Sequence, residues 1–285
     1  MLIETLSTFP HMYDSVMGES MMKRAQEKGI LEFRAHDLRD WTHDRHRTTD
    51  DDPYGGGAGL VMKCDPIFEA VEAILGKEFV EAKLAAAPPQ GESQQRSSAA
   101  PQIVFLAPQG RPFDDAYADK LAAADHLLFI CGHYEGIDQR FIDECVDEEL
   151  SMGDFVVTGG EIPAMAVTDA ICRMVPGVLP EEECFTEESH WAGLLEYPQY
   201  SRPDEWHGRR VPDVLLSGHH ENVAKWRKKE SYKRTMLRRP DLWAQFDEKQ
   251  LKTKSEKKVL TEAKAEAEAI RAAETEKTEE TPTEE

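Results

Sequence analysis

The chain has 285 residues, 40% of them hydrophobic, which is enough for one large domain or two modest ones with ordinary cores. No apolar run approaches the roughly 18 residues of a bilayer-spanning helix, and the N-terminus lacks the basic region and apolar stretch of a secretory signal; we therefore expect a cytoplasmic protein with no membrane association. The net charge of −21 argues at first sight against a nucleic-acid binder, and five scattered cysteines without a C-x-x-C pair argue against a disulfide framework.

The first two-thirds of the chain alternate between short apolar runs and helical patterns. In chain order we predict a strand at 3–9, a helix at 14–28, a strand at 31–38, a helix at 66–75, a strand at 103–107, a helix at 114–124, a strand at 126–131, a helix at 138–150, a strand at 155–158 and a helix at 161–174. Such alternation predicts an α/β fold with a mostly parallel sheet that helices cover on both faces.

Composition divides the chain into four parts. We assign 1–177 to the α/β domain, 178–189 to an acidic interdomain linker, 190–250 to a small helical domain rich in Trp, Tyr and Arg, and 251–285 to a charged low-complexity tail. Within the first part, the Pro- and Ser-rich stretch 85–101 reads as a surface insertion in a loop. We expect the first half of the tail to form a solvated helix and its end to lack structure. The helical domain is predicted to contain helices at 219–229 and 231–238.

The helical domain carries a basic run inside an acidic protein. Between residues 225 and 239, eight basic side chains stand against one acid, Glu230, a local balance of +7 (eight minus one). A solvated helix face would explain such a run equally well. Because Trp226 and Tyr232 are interleaved with the cations, we favour a surface that holds nucleic-acid phosphates.

Four glycine-bearing loops, at 107–110, 131–138, 151–154 and 158–161, each follow a predicted apolar strand or helix. Loops at the carboxyl ends of parallel strands lie on one edge of a sheet, where ligands bind. Each glycine could merely serve a turn, but four such loops on one edge favour a binding site. The sequence lacks the P-loop motif, and Leu60 replaces the last glycine of a G-x-G-x-x-G fingerprint, so common nucleotide-binding motifs are absent.

These loops and several other motifs resemble the bacterial tRNA (guanine-N1)-methyltransferases. The resemblance extends from residue 1 to about residue 246, without the insertion and the tail, and rests on the ordered motifs THDRHRT (42–48), DDPYGGG (51–57), GHYEGID (132–138), GGEIPAM (159–165), VPGVL (175–179), YSRP (200–203) and VLLSGHH (214–220). It implies a SPOUT-type α/β fold with a C-terminal trefoil knot. It also implies a homodimer that acts on tRNA.

The resemblance further implies a bent S-adenosylmethionine held by the knot loops. The matching positions in this chain are Leu106, Pro108, Gly132, Tyr134, Met152, Gly153, Asp154, Phe155, Val156, Val157, Gly159, Gly160 and Pro163. Glu135 matches a family carboxylate linked to magnesium-assisted activity, so Mg²⁺ is a candidate cofactor, although no metal-ligand motif is visible. His133 stands where many relatives have arginine.

Methylation of guanine N1 requires removal of the N1 proton and stabilisation of the charge that shifts to O6. In the family an aspartate after the interdomain linker acts as the base, and Glu188 takes its position here, with one additional methylene. Glu188 could also be one of several unremarkable linker acids, and Asp154 is a competing base. Arg173 matches the family arginine that assists O6; on sequence alone it could equally be a surface arginine.

The implied substrate is the guanine at position 37 of tRNA when another guanine precedes it. Asp50, Tyr54, Gly55, Gly56 and Gly57 resemble the segment that recognises this pair of guanines. We predict contacts to the tRNA backbone from Arg202, Arg209, Lys225, Arg227, Lys228 and Arg234. Two alternatives remain open: a knotted enzyme that methylates another RNA atom, such as a ribose 2′-hydroxyl, and a non-catalytic RNA-binding protein with the same fold.

Overall fold

The computed structural model describes residues 1–85, 100–181, 183–186 and 188–279. The chain divides into two compact units, Met1–Glu182 and Glu183–Glu285. Most of the predicted insertion at 85–101 and the end of the tail lie outside the described residues. The functions assigned above to the individual domains stay predictions.

The first unit contains a central sheet with helices around it. Its strands are β1 (Leu2–Ser7), β2 (Glu32–Asp37), β3 (Asp50–Asp51), β4 (Val61–Met62), β5 (Gln102–Pro112), β6 (His126–Cys131) and β7 (Glu148–Ser151). Its α-helices are α1 (Asp14–Met17), α2 (Ser20–Glu27), α3 (Cys64–Leu75), α4 (Lys77–Ala85), α5 (Asp115–Ala122), α6 (Gln139–Cys145) and α7 (Glu161–Met174). Two 3-10 helices span Pro10–Tyr13 and Leu38–Trp41.

Five strands form one parallel sheet in the order β2-β1-β6-β5-β7. Along each central strand, consecutive apolar side chains enter opposite hydrophobic clusters: Val104 packs on the side of α5 and α7, whereas Ile103 and Phe105 pack on the side of α3 and α6. Both faces of the sheet are therefore buried, as expected for parallel strands. The predicted α/β class with a mostly parallel sheet is confirmed. The trefoil knot stays a prediction.

β5 contains a bulge that interrupts its pairing with β7. Leu106 and Arg111 both pair with Leu150, so residues 107–110 loop out of the strand. A side chain at Gly110 would collide with the Glu149 backbone, since the nearest backbone atoms are 2.5 Å from the Cβ position. The glycine loop predicted after a strand at 103–107 is thus an excursion within a longer strand.

The helix predicted at 138–150 was wrong in its second half. α6 ends at Cys145, and the chain then extends into β7, which pairs with β5 at the sheet edge. Hydrogen bonds from Asp147 hold the chain beside β5. Its backbone N–H donates to Ile103 O at 2.8 Å, and its carboxylate accepts from Ile103 N at 2.8 Å. The helical spacing of Phe141, Ile142 and Cys145 gave no sign of this long-range pairing.

Two other expectations needed correction. Residues 155–158 are not a strand but an irregular segment without a pairing partner in the sheet, in which Phe155 and Val156 are 58% and 78% exposed. The helix predicted at 14–28 is divided into α1 and α2, because Glu19 adopts an extended conformation between them. The short β3–β4 hairpin was not predicted.

The second unit is helical. It contains α8 (Glu183–Thr186), a two-stranded hairpin of β8 (Glu205–Trp206) and β9 (Arg209–Arg210), then α9 (Asp213–Leu216), α10 (His220–Arg238), α11 (Pro240–Gln245), a 3-10 helix at Glu248–Gln250 and α12 (Lys254–Glu279). α10 is continuous where two helices were predicted. None of the helices in the described parts of the chain combines the length and apolar character needed to span a bilayer.

The charged tail forms α12, as predicted for its first half, but one face of this helix is not solvated. Leu260, Ala263 and Ala267 are at most 5% exposed and pack in one cluster with Tyr232 and Met236 of α10. The sparse apolar residues of the tail recur at helical spacing, and this spacing is sufficient for packing against α10.

Candidate functional site

A pocket of about 320 Å³ lies in the first unit, where β5, β6 and β7 end or bulge. Its walls come from the 107–110 bulge, the loop after β6 and the irregular segment between β7 and α7. This is the carboxyl edge of a parallel sheet, where ligand sites of α/β proteins are generally found.

Most positions predicted to hold the cofactor meet at this pocket. The predicted residues that line it are Leu106, Pro108, Gly132, Tyr134, Met152, Phe155, Val156, Val157, Gly159, Gly160 and Pro163. Gly153 and Asp154 belong to the same segment but are not among its lining residues. The structure therefore brings together three loops that are far apart in sequence.

Two glycines of the pocket, Gly132 and Gly160, are required by close packing around them. A Cβ on Gly160 would lie 2.7 Å from Cys131 Cα, and a Cβ on Gly132 would lie 3.0 Å from the Phe105 ring. The Gly160 N–H donates to Gly132 O at 2.9 Å, which joins two of the loops directly. Turn formation alone therefore does not explain why positions 132 and 160 are glycine.

Several lining residues lie in the four predicted loops but were not individually assigned to the cofactor; they are Ala107, Gln109, His133, Gly136, Ile137, Ser151 and Thr158. Four others lie outside those loops and were missed: Phe105, Gln139, Ile142 and Leu150. Leu150 was missed because β7 was taken for helix. Phe105 could have been found from the alternation of β5, which sends it to the face covered by α6.

Cys131 lies under the pocket at the end of β6 and is buried. Its Sγ is 3.1 Å from the Tyr13 hydroxyl. Burial raises the pKa of the Cys131 thiol, and the nearby Glu161 carboxylate raises it further. The thiol therefore stays protonated at neutral pH, which excludes a role as a thiolate nucleophile.

The β3–β4 hairpin and its long loop are attached to the loop after β6. Glu135 N donates to Leu60 O at 3.1 Å, and Met62 N donates to Gly136 O at 3.0 Å. At the tip of the hairpin loop, Tyr54 is 99% exposed and is followed by Gly55, Gly56 and Gly57. Asp50, in β3, is half-buried.

A wide cleft of about 1100 Å³ separates this hairpin from α6. Carboxylates dominate its lining, which includes Asp51, Asp52, Asp65, Glu135, Asp138 and Glu144, with Lys63 and Arg140 as the cations. The Arg140 guanidinium lowers the pKa of Asp138 well below its usual range by hydrogen bonding, against the opposing effect of burial. Among the described residues, no three His, Cys, Asp or Glu side chains are arranged to hold a metal ion.

The two residues predicted to assist the chemistry do not line the 320 Å³ pocket. Arg173 is half-buried in the last turn of α7. Glu188 belongs to the second unit, where it lines a separate cavity of about 270 Å³ together with Arg227 and Lys228.

The cations of the basic run on α10 differ in their contacts: some bind carboxylates of the second unit, and others are exposed. Lys229 and Lys233 bind the Glu266 carboxylate of α12 at 2.6 and 3.0 Å, whereas Lys225 pairs with Glu221 at 2.6 Å. Arg227 is exposed, with its guanidinium carbon 4.8 Å from the centre of the Tyr197 ring. The other predicted RNA contacts comprise exposed side chains at Lys228, Arg202 and Arg209 and a half-buried one at Arg234.

Comparison with known proteins gives a consistent result. Residues 1–245 match the family described as tRNA (Guanine-1)-methyltransferase TrmD. A tRNA (guanine-N(1)-)-methyltransferase of Ruminiclostridium cellulolyticum is 45% identical over 251 residues, which cover 88% of this chain and 100% of the relative. Proteins of the same name from Desulforudis audaxviator and Bacillus subtilis are 49% and 46% identical over 242 residues, covering 85% of this chain and 89% and 92% of the relatives.

Proposed function

The chain belongs to the tRNA (guanine-1)-methyltransferase family, and on that premise we propose that it transfers a methyl group from S-adenosylmethionine to guanine N1 of tRNA. The observation that carries the proposal is the convergence of three glycine-bearing loops on one pocket at the carboxyl edge of the sheet. Membership of this family also identifies the fold as SPOUT-type and the chain as an enzyme.

The pocket suits an adenosylated sulfonium in size and lining. Its volume of about 320 Å³ falls within the usual range for small-ligand sites. Leu106, Ile137 and Leu150 offer apolar surface for a flat base, while the glycines bring main-chain N–H and C=O groups within reach of its polar edge. The residues named above as lining the pocket would hold the methyl donor, which when bound supplies an electrophilic methyl group on a good leaving group.

The protein's own task is alignment and proton removal. Holding guanine N1 in line with the methyl group converts a bimolecular displacement into a pre-oriented one. We assign removal of the N1 proton to Glu188 and stabilisation of the charge on O6 to Arg173. Asp154 is the competing base; its neighbours Phe155 and Val156 line the pocket, although Asp154 itself does not.

Recognition of the RNA is assigned to two surfaces. The exposed loop around Tyr54 and the carboxylates of the 1100 Å³ cleft can accept hydrogen bonds from N1–H and N2–H of the guanine at position 36 and from N2–H of the guanine at position 37, and we propose that they read this pair. The target base must leave its stack to react. Exposed cations of the second unit, among them Arg202, Arg209 and Arg227, would bind the phosphates.

We propose that the enzyme acts as a homodimer in the cytoplasm. Large apolar side chains of the first unit are exposed and would be covered by a second copy; they are Phe9, Met12, Val16, Tyr134, Phe155, Val156 and Ile162, of which Tyr134, Phe155 and Val156 line the pocket. We assign to Glu135 the dependence of turnover on Mg²⁺.

The proposed activity is tested by incubating the protein with labelled S-adenosylmethionine and tRNA transcripts that differ only at position 37. We expect labelling of the transcript with guanine at position 37 and background labelling with adenine, and nucleoside analysis should identify the product as 1-methylguanosine. Equal labelling of both transcripts, or a 2′-O-methylated product, would reject this assignment.

A further inference from the structure

The carboxylate of Glu161 is buried beneath the cofactor pocket, although none of the chemistry above uses it. Glu161 is the first residue of α7 and is 1% exposed. A buried carboxylate is tolerated only when hydrogen bonds replace its hydration. Both oxygens of Glu161 have partners from other parts of the chain: Oε1 accepts from the Ser7 hydroxyl, and Oε2 lies 2.7 Å from His133 Nε2.

His133 is itself fixed on several sides. Its backbone N–H contacts Met62 Sδ at 3.2 Å, and its backbone forms an antiparallel bridge with Gly159. Its ring centre lies 4.9 Å from that of Phe9 in an edge-on arrangement, and its side chain is only 14% exposed. Two of these contacts hold the backbone of His133, while Phe9 and Glu161 hold its ring.

The imidazole fills the space beside Gly159. A Cβ on Gly159 would lie 2.2 Å from His133 Cε1 and 2.6 Å from Glu161 Oε2. The ring and the carboxylate thus lie between the loop after β6 and the segment that leads into α7. Both of these elements line the pocket, and the His133–Glu161 bond joins them through side chains, in addition to the main-chain bond from Gly160 N to Gly132 O.

The hydrogen bonds of Glu161 connect the start of α7 with two other parts of the chain. Glu161 lies in the first turn of α7, where the helix dipole stabilises a negative charge. An ionised carboxylate can only accept hydrogen bonds, so the imidazole Nε2–H and the Ser7 hydroxyl both donate to it. Ser7 Oγ in turn accepts from the Phe9 N–H at 2.8 Å, which extends the network to the end of β1.

We propose that His133 and Glu161 are positioning residues that set the width of the methyl-donor pocket, and that their bond controls affinity for S-adenosylmethionine rather than the methyl-transfer step. This inference rests on the proposed function for the identity of the ligand. Neither side chain is assigned to a reacting atom; the pair acts through Gly132, Tyr134, Gly159 and Gly160, which line the pocket.

The test compares three variants with the wild-type chain. His133→Ala removes the donor, Glu161→Gln keeps the side-chain volume but removes the charge, and His133→Gln keeps an N–H donor. His11→Ala is the matched control, because His11 forms a histidine–carboxylate contact with Asp14 on the surface, where the histidine side chain is 93% exposed. Calorimetric titration with S-adenosylhomocysteine gives affinity, and initial rates give kcat and KM for both substrates.

We expect His133→Ala and Glu161→Gln to weaken S-adenosylhomocysteine binding by about tenfold or more, because the two loops that line the pocket lose a hydrogen bond that joins them. KM for S-adenosylmethionine should rise in parallel, while kcat and KM for tRNA stay within about threefold of wild type. His133→Gln should recover most of the affinity, and His11→Ala should match wild type.

Wild-type affinity in both His133→Ala and Glu161→Gln would overturn the inference. So would a loss confined to kcat, or an equal loss in the His133→Ala and His133→Gln chains when both retain the wild-type melting temperature. Failure of the wild-type chain to bind S-adenosylhomocysteine would instead reject the proposed function, so the two failures are distinguishable.

Discussion

Gly160 lies directly against Cys131: a Cβ at Gly160 would be 2.7 Å from Cys131 Cα, closer than real Cβ atoms approach backbone. Gly160→Ala must therefore separate the loop before α7 from the end of β6; Gly160 lines the pocket, and so does Gly132, the residue that follows Cys131. We expect the substitution to weaken S-adenosylhomocysteine binding by about tenfold or more through overpacking, measured by calorimetry.

Gly29→Ala is the control for this prediction. It adds the same methyl group in the same unit at a position with open space, so only the strain of a positive φ is introduced. Unchanged affinity in Gly160→Ala would show that the loops tolerate separation and that the pocket is less constrained than described.

The assignment of Glu188 as general base predicts a selective loss of turnover. Glu188→Gln keeps the size of the side chain but cannot take up the guanine N1 proton, so kcat should fall by about a hundredfold or more. Affinities for tRNA and S-adenosylhomocysteine should change little, as measured by filter binding and calorimetry.

Glu181→Gln, at an exposed acid of the same acidic stretch, provides the comparison and should retain wild-type kcat. Near-normal kcat in Glu188→Gln would remove Glu188 from the mechanism. A matching loss in Asp154→Asn would then transfer the role to the competing carboxylate.

Glu4 makes the folded state sensitive to acid. It is 2% exposed on β1, with Oε1 2.9 Å from His36 Nε2 and Oε2 2.7 Å from His126 Nε2. Burial alone would raise the pKa of Glu4, but the hydrogen bonds and positive charge of His126 and His36 lower it to about 2. Because the pKa of Glu4 is lower in the folded state than its unfolded-state value near 4.5, the ionised carboxylate stabilises the fold. This stabilisation is complete above about pH 4.5 and is lost as the pH falls toward 2.

Glu4→Gln should therefore reduce the free energy of unfolding at pH 7 by up to about 3 kcal/mol, with the difference from wild type shrinking between pH 4.5 and 2. Urea unfolding at a series of pH values measures this. The exposed neighbour Glu32→Gln should shift stability by less than about 0.5 kcal/mol. A difference for Glu4→Gln that stays constant from pH 7 to 2 would contradict the account.

The packing of α12 on α10 predicts that the tail stabilises the second unit. Leu260 is 5% exposed among Tyr232, Met236 and Leu194, so Leu260→Ala should destabilise this unit by about 2–4 kcal/mol. Glu268→Ala, on the exposed face of the same helix, should have almost no effect. The rate of hydrogen exchange of the α10 amides reports the stability of the second unit. Equal protection of these amides in Leu260→Ala and Glu268→Ala would mean that α12 does not pack as described.

The parts of the fold that local patterns specify were predictable, and those set by long-range pairing were not. The spacing of Ile67 and Val71 identified α3, and the run at 126–131 identified β6. By contrast, β7 depends on hydrogen bonds between Asp147 and Ile103, 44 residues earlier in the chain, and local sequence contains no trace of them. The β5 bulge has the same origin, because it exists only relative to the pairing with β7.

The residues of the pocket likewise divide into those that local sequence predicts and those that depend on long-range contacts. Its glycines stand out in the sequence, and eleven of the positions that the resemblance implies for the cofactor line this one pocket. The Glu161–His133–Ser7 network could not be predicted, because it joins the ends of β1 and β6 to the start of α7. Buried polar networks of this kind depend on tertiary contacts and have no local pattern.

The central claim is that the loops at 106–110, 132–136 and 152–160 together bind the methyl donor. A crystal structure of the protein grown with S-adenosylhomocysteine tests it most directly. The account predicts ligand density enclosed by these three segments, with main-chain groups around Gly132 and Gly160 in hydrogen-bonding contact with it. Density at any other place in the molecule, with this pocket empty at a saturating ligand concentration, would contradict it.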